Sequence, residues 1–210
     1  MIRSVVFDFD GTLILSNQIK REGFFAAVSK INDGAAYMKV LLDNPEGDRY
    51  TIFNRFTDVF GGSAADLVKR YTDWCEERIV ICSEREGASA VIQTLRQSRV
   101  SIHLNSATPT DSLRRIVLRR YGTGYFSSVY GGHGNKRENL EEILNKEQLP
   151  PSFLAMVGDG IDDREAAVAV GCQFVGVGGG TLAAAAPDGS LVDSLENLWP
   201  LLRDEIGKKI

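Results

Sequence analysis

Apolar and polar residues alternate along most of the chain in a way that predicts helices and strands in turn. From about Glu86 onward, apolar residues recur at helical spacing in Ala88–Gln97 and in four later segments, and short apolar runs lie between them. The short runs predict strands at 100–104, around Val129, at 153–157 and at 174–177, and Arg3–Phe7 predicts one more before all of these. This alternation is typical of a parallel sheet with helices on both faces. We therefore predict an α/β fold with a Rossmann-like parallel sheet.

Residues typical of helix ends flank two of the predicted helices. Thr108 is expected to cap a helix whose first residue is Pro109, with Asp111 completing a capping box. Gly171 is expected to end the helix over 166–170, because glycine adopts the left-handed conformation at helix ends without strain. These signals predict one boundary of each helix.

Residues from about 16 to 83 break the alternation and predict helices only. Apolar residues predict helices around 24–28 and 52–60, and Ser63 with Asp66 offers a capping box in front of a third apolar stripe. The aromatic residues of this stretch are expected to pack in its interior. We therefore predict an all-helical domain over residues 16–83, inserted into a core domain formed by residues 1–15 and 84–210.

Composition and charge argue against several classes of function. The chain has 210 residues, of which 43% are hydrophobic and 25% charged, as in ordinary globular proteins. The net charge is −4, from 24 basic and 28 acidic side chains, and no basic stripe indicates a nucleic-acid partner. No apolar run approaches the roughly 20 residues of a membrane span. Three cysteines at distant spacings indicate neither disulfides nor a zinc site. We expect a cytoplasmic protein, monomeric or homodimeric, that binds neither nucleic acid nor membrane.

The strongest chemical signal is the segment Asp8-Phe9-Asp10-Gly11-Thr12, which directly follows the first predicted strand. In open α/β sheets, ligands bind beyond the carboxyl ends of the strands. Side chains two residues apart on a strand point the same way, so Asp8 and Asp10 can approach one target. Two carboxylates this close repel each other, which calls for a shared cation or a proton. Gly11 lets the chain turn sharply at this point.

A second acidic cluster, Gly158-Asp159-Gly160-Ile161-Asp162-Asp163, follows the predicted strand 153–157. Carboxylates that converge from two strand ends form a hard oxygen site suited to Mg²⁺. Asp162 or Asp163 is also expected to cap the helix that follows. The sequence therefore predicts a magnesium site at these two strand ends.

Two further positions carry weaker signals that gain weight beside the acidic clusters. Asn105-Ser106 ends the predicted strand 100–104 and precedes a helix start, where a hydroxyl and backbone N–H groups can hold phosphate oxygens. Lys136 follows a glycine-rich loop, and a lysine near a phosphoryl group offsets charge that a metal alone does not. Its neighbour Arg137 is the alternative for this role. His133, in the same loop, is expected to have no catalytic role.

These four elements, in this order, resemble the motifs of the haloacid dehalogenase-like superfamily, in its branch of phosphoglycolate phosphatases and β-phosphoglucomutases with a helical cap. The matching residues are Asp8-x-Asp10-Gly11-Thr12 for the first motif, Ser106 for the second, Lys136 for the third, and Asp159 with Asp163 for the acidic fourth. Arg137 departs from the proline that commonly follows the lysine in those relatives. The resemblance spans nearly the whole chain.

The resemblance implies a phosphatase that hydrolyses small phosphorylated metabolites of the phosphoglycolate, sugar phosphate or mononucleotide type. Asp8 would attack phosphorus and form an aspartyl-phosphate, and Asp10 would act as general acid and then general base. Mg²⁺ would be held by Asp8, by the backbone carbonyl of Asp10 and by Asp159, with Asp163 in support. The phosphate-binding residues would be Ser106, Asn105, Lys136, Gly11 and Thr12. The inserted helices would form a cap that closes during the reaction and excludes large substrates.

Other functions stay open at this point. A phosphomutase of the β-phosphoglucomutase type keeps every one of these motifs. A receiver-type signalling domain also combines acidic residues, a hydroxyl and a lysine, although its phosphoacceptor follows a middle strand, where this chain has Ser106. Asp10 argues against a true haloacid dehalogenase, which lacks the second aspartate. Steady turnover of p-nitrophenyl phosphate would separate an enzyme from a receiver domain.

Overall fold

The computed structural model describes residues 2–132, 136–178 and 191–204, and the chain divides into two compact units. The core unit comprises the segments up to Leu15 and from Ser83 onward, and the helical unit comprises Ser16–Cys82. His133 lies outside the described residues. None of the helices in these described ranges has both the length and the apolar character that crossing a bilayer requires.

The core unit is built on a parallel sheet. Within the described residues its strands are β1 (Ser4–Phe7), β2 (Ser101–Ser106), β3 (Ser128–Gly131), β4 (Leu154–Gly158), β5 (Gln173–Val177) and β6 (Leu191–Val192). They lie in the order β3-β2-β1-β4-β5-β6, and each neighbouring pair is parallel. The chain adds β2 and β3 on one side of β1 and then crosses to add the others on the opposite side. The strand order therefore reverses between β1 and β4, and in open α/β sheets ligands bind beyond the carboxyl ends of the strands at such a point.

The helical unit has an aromatic interior. Its helices are α1 (Asn17–Val28), α2 (Gly34–Asp43), α3 (Arg49–Phe60) and α4 (Ala64–Ile79). The ring centroids of Phe24 and Tyr71 are 4.6 Å apart and those of Phe24 and Phe53 are 5.2 Å apart, and all three side chains are buried. The predicted interior position is confirmed for these three aromatic residues, whereas Tyr50 is exposed. The Ser63 hydroxyl accepts a hydrogen bond from the Asp66 N–H at 3.2 Å, which confirms the predicted cap of α4.

Helices cover both faces of the sheet in the core unit. They are α5 (Ala88–Gln97), α6 (Thr110–Tyr121), α7 (Lys136–Glu147), α8 (Ile161–Val170) and α9 (Leu198–Asp204). Apolar residues of α7 and α8 form one buried cluster with Val6 and Met156. Val5 and Phe7 alternate with Val6 and point to the opposite face, where they are also fully buried. Strands buried on both faces carry few polar residues, which explains their continuous apolar runs. The predicted α/β fold, with its inserted helical segment, is confirmed.

The helix-end predictions had different outcomes. Gly171 ends α8 with φ 78° and ψ 25°, the left-handed conformation that was predicted. The predicted cap at Thr108 is wrong. Helix α6 begins at Thr110, Pro109 precedes it with ψ 138°, and no side chain caps this end. The Thr108 hydroxyl instead has a partner in the candidate site.

Candidate active site

Asp8 lies directly after β1, at the point where the strand order reverses. Its backbone N–H donates to the carbonyl oxygen of Val157 in β4 at 2.8 Å, so this residue is still held against the neighbouring strand. Asp8 is only 5% exposed. Its carboxylate is therefore fixed in a largely buried position beyond the ends of both strands.

The chain after Asp8 folds back in a tight turn. The N–H groups of Leu13 and Ile14 both donate to the carbonyl oxygen of Phe9, at 3.1 and 3.2 Å, and the Gly11 N–H donates to the Ile14 carbonyl at 2.8 Å. Gly11 has a φ of +85°, in the left-handed region that favours glycine. The turn directs the Thr12 hydroxyl to Asp159 Oδ1, to which it donates at 3.0 Å. Thr12 therefore links the two acidic strand ends, and its phosphate-binding role stays a prediction, as does that of Gly11.

Arg85 anchors this turn. Its Nε donates to the carbonyl oxygens of Gly11 and Thr12 at 3.1 Å each, and a second guanidinium nitrogen also donates to the Gly11 carbonyl. The backbone N–H of Arg85 donates to the Leu13 carbonyl at 2.9 Å. The sequence analysis did not identify Arg85, because one arginine within an acidic run looks like a solvated surface residue.

Asp10 is 8% exposed, and two hydroxyl groups converge on its carboxylate. Ser106 Oγ donates to Asp10 Oδ2 at 3.2 Å, and Thr108 Oγ1 donates to the same oxygen at 2.7 Å. Ser106 Oγ also accepts from the Thr108 N–H at 3.1 Å. The structure thus places Ser106 beside Asp10, and it adds Thr108, which the sequence analysis assigned only to helix capping.

Asp8, Asp159 and Asp163 come together although they are far apart in the sequence. Each offers a carboxylate oxygen, and these oxygens all lie within 4.8 Å of one another. Hard oxygen donors that converge in this way fit a divalent cation that prefers oxygen ligands. The residues at the two strand ends are therefore suited to hold a metal ion of this class.

Gly158 leaves the space that the Asp163 side chain occupies. A β-carbon at position 158 would overlap the Asp163 carboxylate, so only glycine permits this approach. Asp163 is fully buried, and its Oδ2 accepts from the Gly160 N–H at 3.0 Å. The predicted capping of α8 is confirmed for Asp163, which serves both the helix start and the acidic cluster.

Lys136 lies among these carboxylates. Its Nζ is 3.1 Å from Asp8 Oδ1, 2.5 Å from Asp163 Oδ1 and 3.0 Å from Asp162 Oδ2. The alternative residue, Arg137, is instead paired with Glu141 on the surface of α7. Of the two basic side chains, the structure brings Lys136 to the site.

The charges of the cluster depend on one another. Burial opposes the charged form of Lys136, but the carboxylates of Asp8, Asp163 and Asp162 outweigh it and raise the pKa of this ammonium above its usual range. Burial and the neighbouring Asp8 charge raise the pKa of the Asp163 carboxyl well above its usual range, although Lys136 acts in the opposite direction. Asp8 and Asp163 therefore still repel each other with Lys136 in contact with both, and a cation bound there would relieve this repulsion.

Asn105 connects β2 with the start of α7. Its Nδ2 donates to the backbone carbonyl of Lys136 at 2.8 Å, and its Oδ1 accepts from Asn139 Nδ2 at 2.9 Å. Both polar ends of the side chain thus contact α7. Its predicted contact with phosphate stays a prediction, and the observed contacts give it a second role, which is to place Lys136.

Comparisons with known proteins identify the family of this chain. The sequence matches the haloacid dehalogenase-like hydrolase family over residues 2–171. It is 24% identical to a phosphoglycolate phosphatase of Vibrio vulnificus strain CMCP6 over 221 aligned positions, covering 94% of each chain.

Solved structures share the fold. A protein of Haemophilus somnus 129PT described as a predicted phosphoglycolate phosphatase superposes with a TM-score of 0.78 at 18% identity, over 96% of this chain and 98% of that one. A Thermotoga maritima protein provisionally assigned as a β-phosphoglucomutase superposes with a TM-score of 0.76 at 18% identity, over 97% and 99%. With the family match covering most of the sequence, the chain belongs to the haloacid dehalogenase-like hydrolases and is an enzyme of their phosphatase type.

Proposed function

We propose that this phosphatase hydrolyses small phosphorylated metabolites in a magnesium-dependent reaction that passes through an aspartyl-phosphate on Asp8. The observation that carries the proposal is the convergence of Asp8, Asp159 and Asp163, two of which, Asp8 and Asp163, also contact the ammonium of Lys136. A nucleophile, a cation site and a fixed positive charge close to one another are what phosphoryl transfer requires.

Asp8 and Asp10 divide the covalent chemistry between them. Asp8 attacks phosphorus through a carboxylate oxygen, the bond to the leaving oxygen breaks, and an acyl phosphate forms. Asp10 gives its proton to the leaving oxygen, which departs as an alcohol. Asp10 then takes a proton from the water that attacks the acyl phosphate, and this step restores Asp8 and releases inorganic phosphate. The hydroxyl contacts of Asp10 support this role, because two donors on one oxygen hold its carboxyl group in a fixed orientation.

The remaining residues bind and orient the phosphoryl group. Lys136 offsets its negative charge, and the Ser106 hydroxyl turns from Asp10 to donate to one of its oxygens. Magnesium would be held by Asp8, the Asp10 carbonyl and Asp159, with Asp163 in support, and when bound it would neutralise and orient the phosphoryl oxygens. Asn105, Gly11 and Thr12 complete the predicted phosphate-binding group.

The substrate class we propose is a small phosphate monoester such as phosphoglycolate, a sugar phosphate or a mononucleotide. The similarity to a phosphoglycolate phosphatase supports the first of these. We also propose that the all-helical unit over Ser16–Cys82 acts as the cap expected from the sequence. A cap that closes during the reaction leaves room only for a small substrate.

A phosphomutase is the second candidate, because the fold is shared with the protein provisionally assigned as a β-phosphoglucomutase. A mutase transfers the phosphoryl group back to a sugar, whereas a phosphatase transfers it to water. Release of inorganic phosphate in step with substrate consumption favours the phosphatase. Conversion of glucose 1-phosphate to glucose 6-phosphate without phosphate release would favour the mutase.

The test of the proposal combines metal removal with a change at Asp8. We expect EDTA to abolish hydrolysis of p-nitrophenyl phosphate and Mg²⁺ to restore it, and we expect Asp8→Asn to be inactive under both conditions. Asp73→Asn is the matched control, since it removes an exposed carboxylate of the helical unit that pairs with Lys69. Full activity in EDTA would contradict the metal requirement, and an active Asp8→Asn variant would contradict the covalent mechanism.

A further inference from the structure

The Thr108 side chain was expected to cap a helix, but its hydroxyl group points to Asp10 in the candidate active site. It is 4% exposed, and its Oγ1 donates to Asp10 Oδ2 at 2.7 Å, while the helix end beside it has no side-chain cap. The hydroxyl group is buried and bonds to a carboxylate instead of capping the helix start, so this contact is specific. Its partner is the proposed proton donor and acceptor of the reaction.

The backbone of Thr108 is held by hydrogen bonds on both sides of its Cα atom. Its N–H donates to Ser106 Oγ at 3.1 Å, and its carbonyl oxygen accepts from the Gly132 N–H at 2.8 Å. The next residue is Pro109, which restricts Thr108 to extended backbone conformations. A hydroxyl held by β2 on one side and by the end of β3 on the other cannot follow Asp10 if that side chain rotates.

We infer that Thr108 is a positioning residue that holds the Asp10 carboxyl group in line with the leaving oxygen. The inference rests on the proposed acid role of Asp10. Ser106 donates to the same Oδ2 from a longer distance, 3.2 Å, and it is also needed by the phosphoryl group, so Thr108 is the partner that stays with Asp10 when substrate binds. A fixed proton donor raises the rate because the proton reaches the leaving oxygen without a search over rotamers.

Loss of the Thr108 hydroxyl should slow the hydrolysis of esters with poor leaving groups more than that of esters with good ones. An alkyl phosphate releases a strongly basic alkoxide and depends on a proton from Asp10, whereas p-nitrophenolate leaves without one. Removing the hydroxyl in Thr108→Val should therefore lower kcat/KM for an alkyl phosphate by roughly tenfold or more, a part of the ~10²–10⁴-fold that general acid catalysis contributes. The kcat/KM for p-nitrophenyl phosphate should change by no more than about threefold, because its leaving group needs little of that contribution.

The experiment compares kcat/KM for glycerol 1-phosphate and p-nitrophenyl phosphate across matched variants in Mg²⁺. Thr108→Ser keeps the hydroxyl and should recover most of the alkyl activity, and Thr108→Ala should behave as Thr108→Val does, even if the valine variant folds poorly. Thr110→Val is the control, since it removes a hydroxyl two residues away that donates to the Gly131 carbonyl at 2.7 Å. It should leave both rates unchanged. Inhibition by inorganic phosphate should be the same in all four variants, because Thr108 does not bind the phosphoryl group.

Two results would overturn the inference, one that concerns Thr108 alone and one that concerns the acid role of Asp10. Equal losses on both esters in Thr108→Val and Thr108→Ala would show a purely structural role for Thr108 and leave the acid role of Asp10 intact. Asp10→Asn, measured in parallel, should show an even stronger dependence on the leaving group. If it shows none, the acid role itself fails and the inference falls with it.

Discussion

Lys136 is the positive charge that allows several carboxylates to lie together at the strand ends. Its Nζ contacts Asp8 and Asp163, which are both almost fully buried. Removing one partner of a buried ion pair costs about 3–5 kcal/mol, because the remaining charge stays buried without compensation. We expect Lys136→Met to lower the free energy of unfolding of the core unit by this amount in EDTA, and Mg²⁺ to restore part of it by supplying positive charge.

The measurement is urea unfolding followed by tryptophan fluorescence. Trp199 lies in the core unit and Trp74 in the helical unit, so a Trp74→Phe background makes the signal report on the core unit alone. Arg137→Met is the control, because its exposed pair with Glu141 should contribute less than about 1 kcal/mol. Equal destabilisation by the two changes would show that the cluster does not depend on Lys136.

At the residue scale, the sequence could predict side chains whose chemistry and position coincide. Asp8, Ser106 and Asp159 each follow or end an apolar strand, and parallel strands bring such residues to one edge of the sheet. Thr108 was misjudged because the residue types that cap helices also donate to carboxylates, and the choice depends on where Asp10 lies. The role of Arg85 could not be predicted from the sequence, because the carbonyl groups that it binds are brought together only by the turn after β1.

At the scale of elements, the start of α7 is attached to β2 through one amide side chain. Asn105 holds the Lys136 carbonyl and accepts from Asn139, so it couples the end of a strand to the first turn of a helix. We expect Asn105→Ala to cost about 1–3 kcal/mol, the usual effect of leaving buried polar groups without a partner. We also expect a lower kcat, because Lys136 loses its orientation.

Asn145→Ala is the matched control for this prediction. Asn145 lies on the exposed surface of the same helix, toward its other end, and we expect no change in kcat. The measurement is steady-state kinetics on p-nitrophenyl phosphate together with urea unfolding. Unchanged kinetics in Asn105→Ala would show that Lys136 is positioned by its ion pairs alone.

The predicted elements were most accurate where apolar periodicity was long. The helix over Ala88–Gln97 has the predicted bounds, whereas α2 and β6 were not predicted at all. Helix α2 begins at Gly34, a poor helix former, and β6 has only two residues, which is too short to show a period. Both elements form because neighbouring elements pack against or pair with them, and that information lies outside their own sequence.

At the scale of the whole molecule, the proposed cap makes a prediction about substrate size. A helical unit that closes during the reaction would admit phosphoglycolate or a sugar phosphate and exclude a phosphorylated protein. We expect kcat/KM to be clearly higher for small phosphorylated metabolites than for phosphopeptides, measured as phosphate release under the same conditions. Comparable efficiency on a folded phosphoprotein would contradict the cap role.

The two chain segments that connect the core unit with the helical unit are hydrogen-bonded to each other. The chain leaves the core unit at Leu15 and returns at Ser83, and the Leu15 N–H donates to the Ser83 carbonyl at 2.9 Å. The entropy of closing the loop between these residues grows only with the logarithm of its length, by about 0.6 kcal/mol for each doubling. A longer or shorter insertion between positions 15 and 83 would therefore change the cost of closing this loop only slightly, so we expect the core unit to tolerate inserted segments of very different length at this boundary.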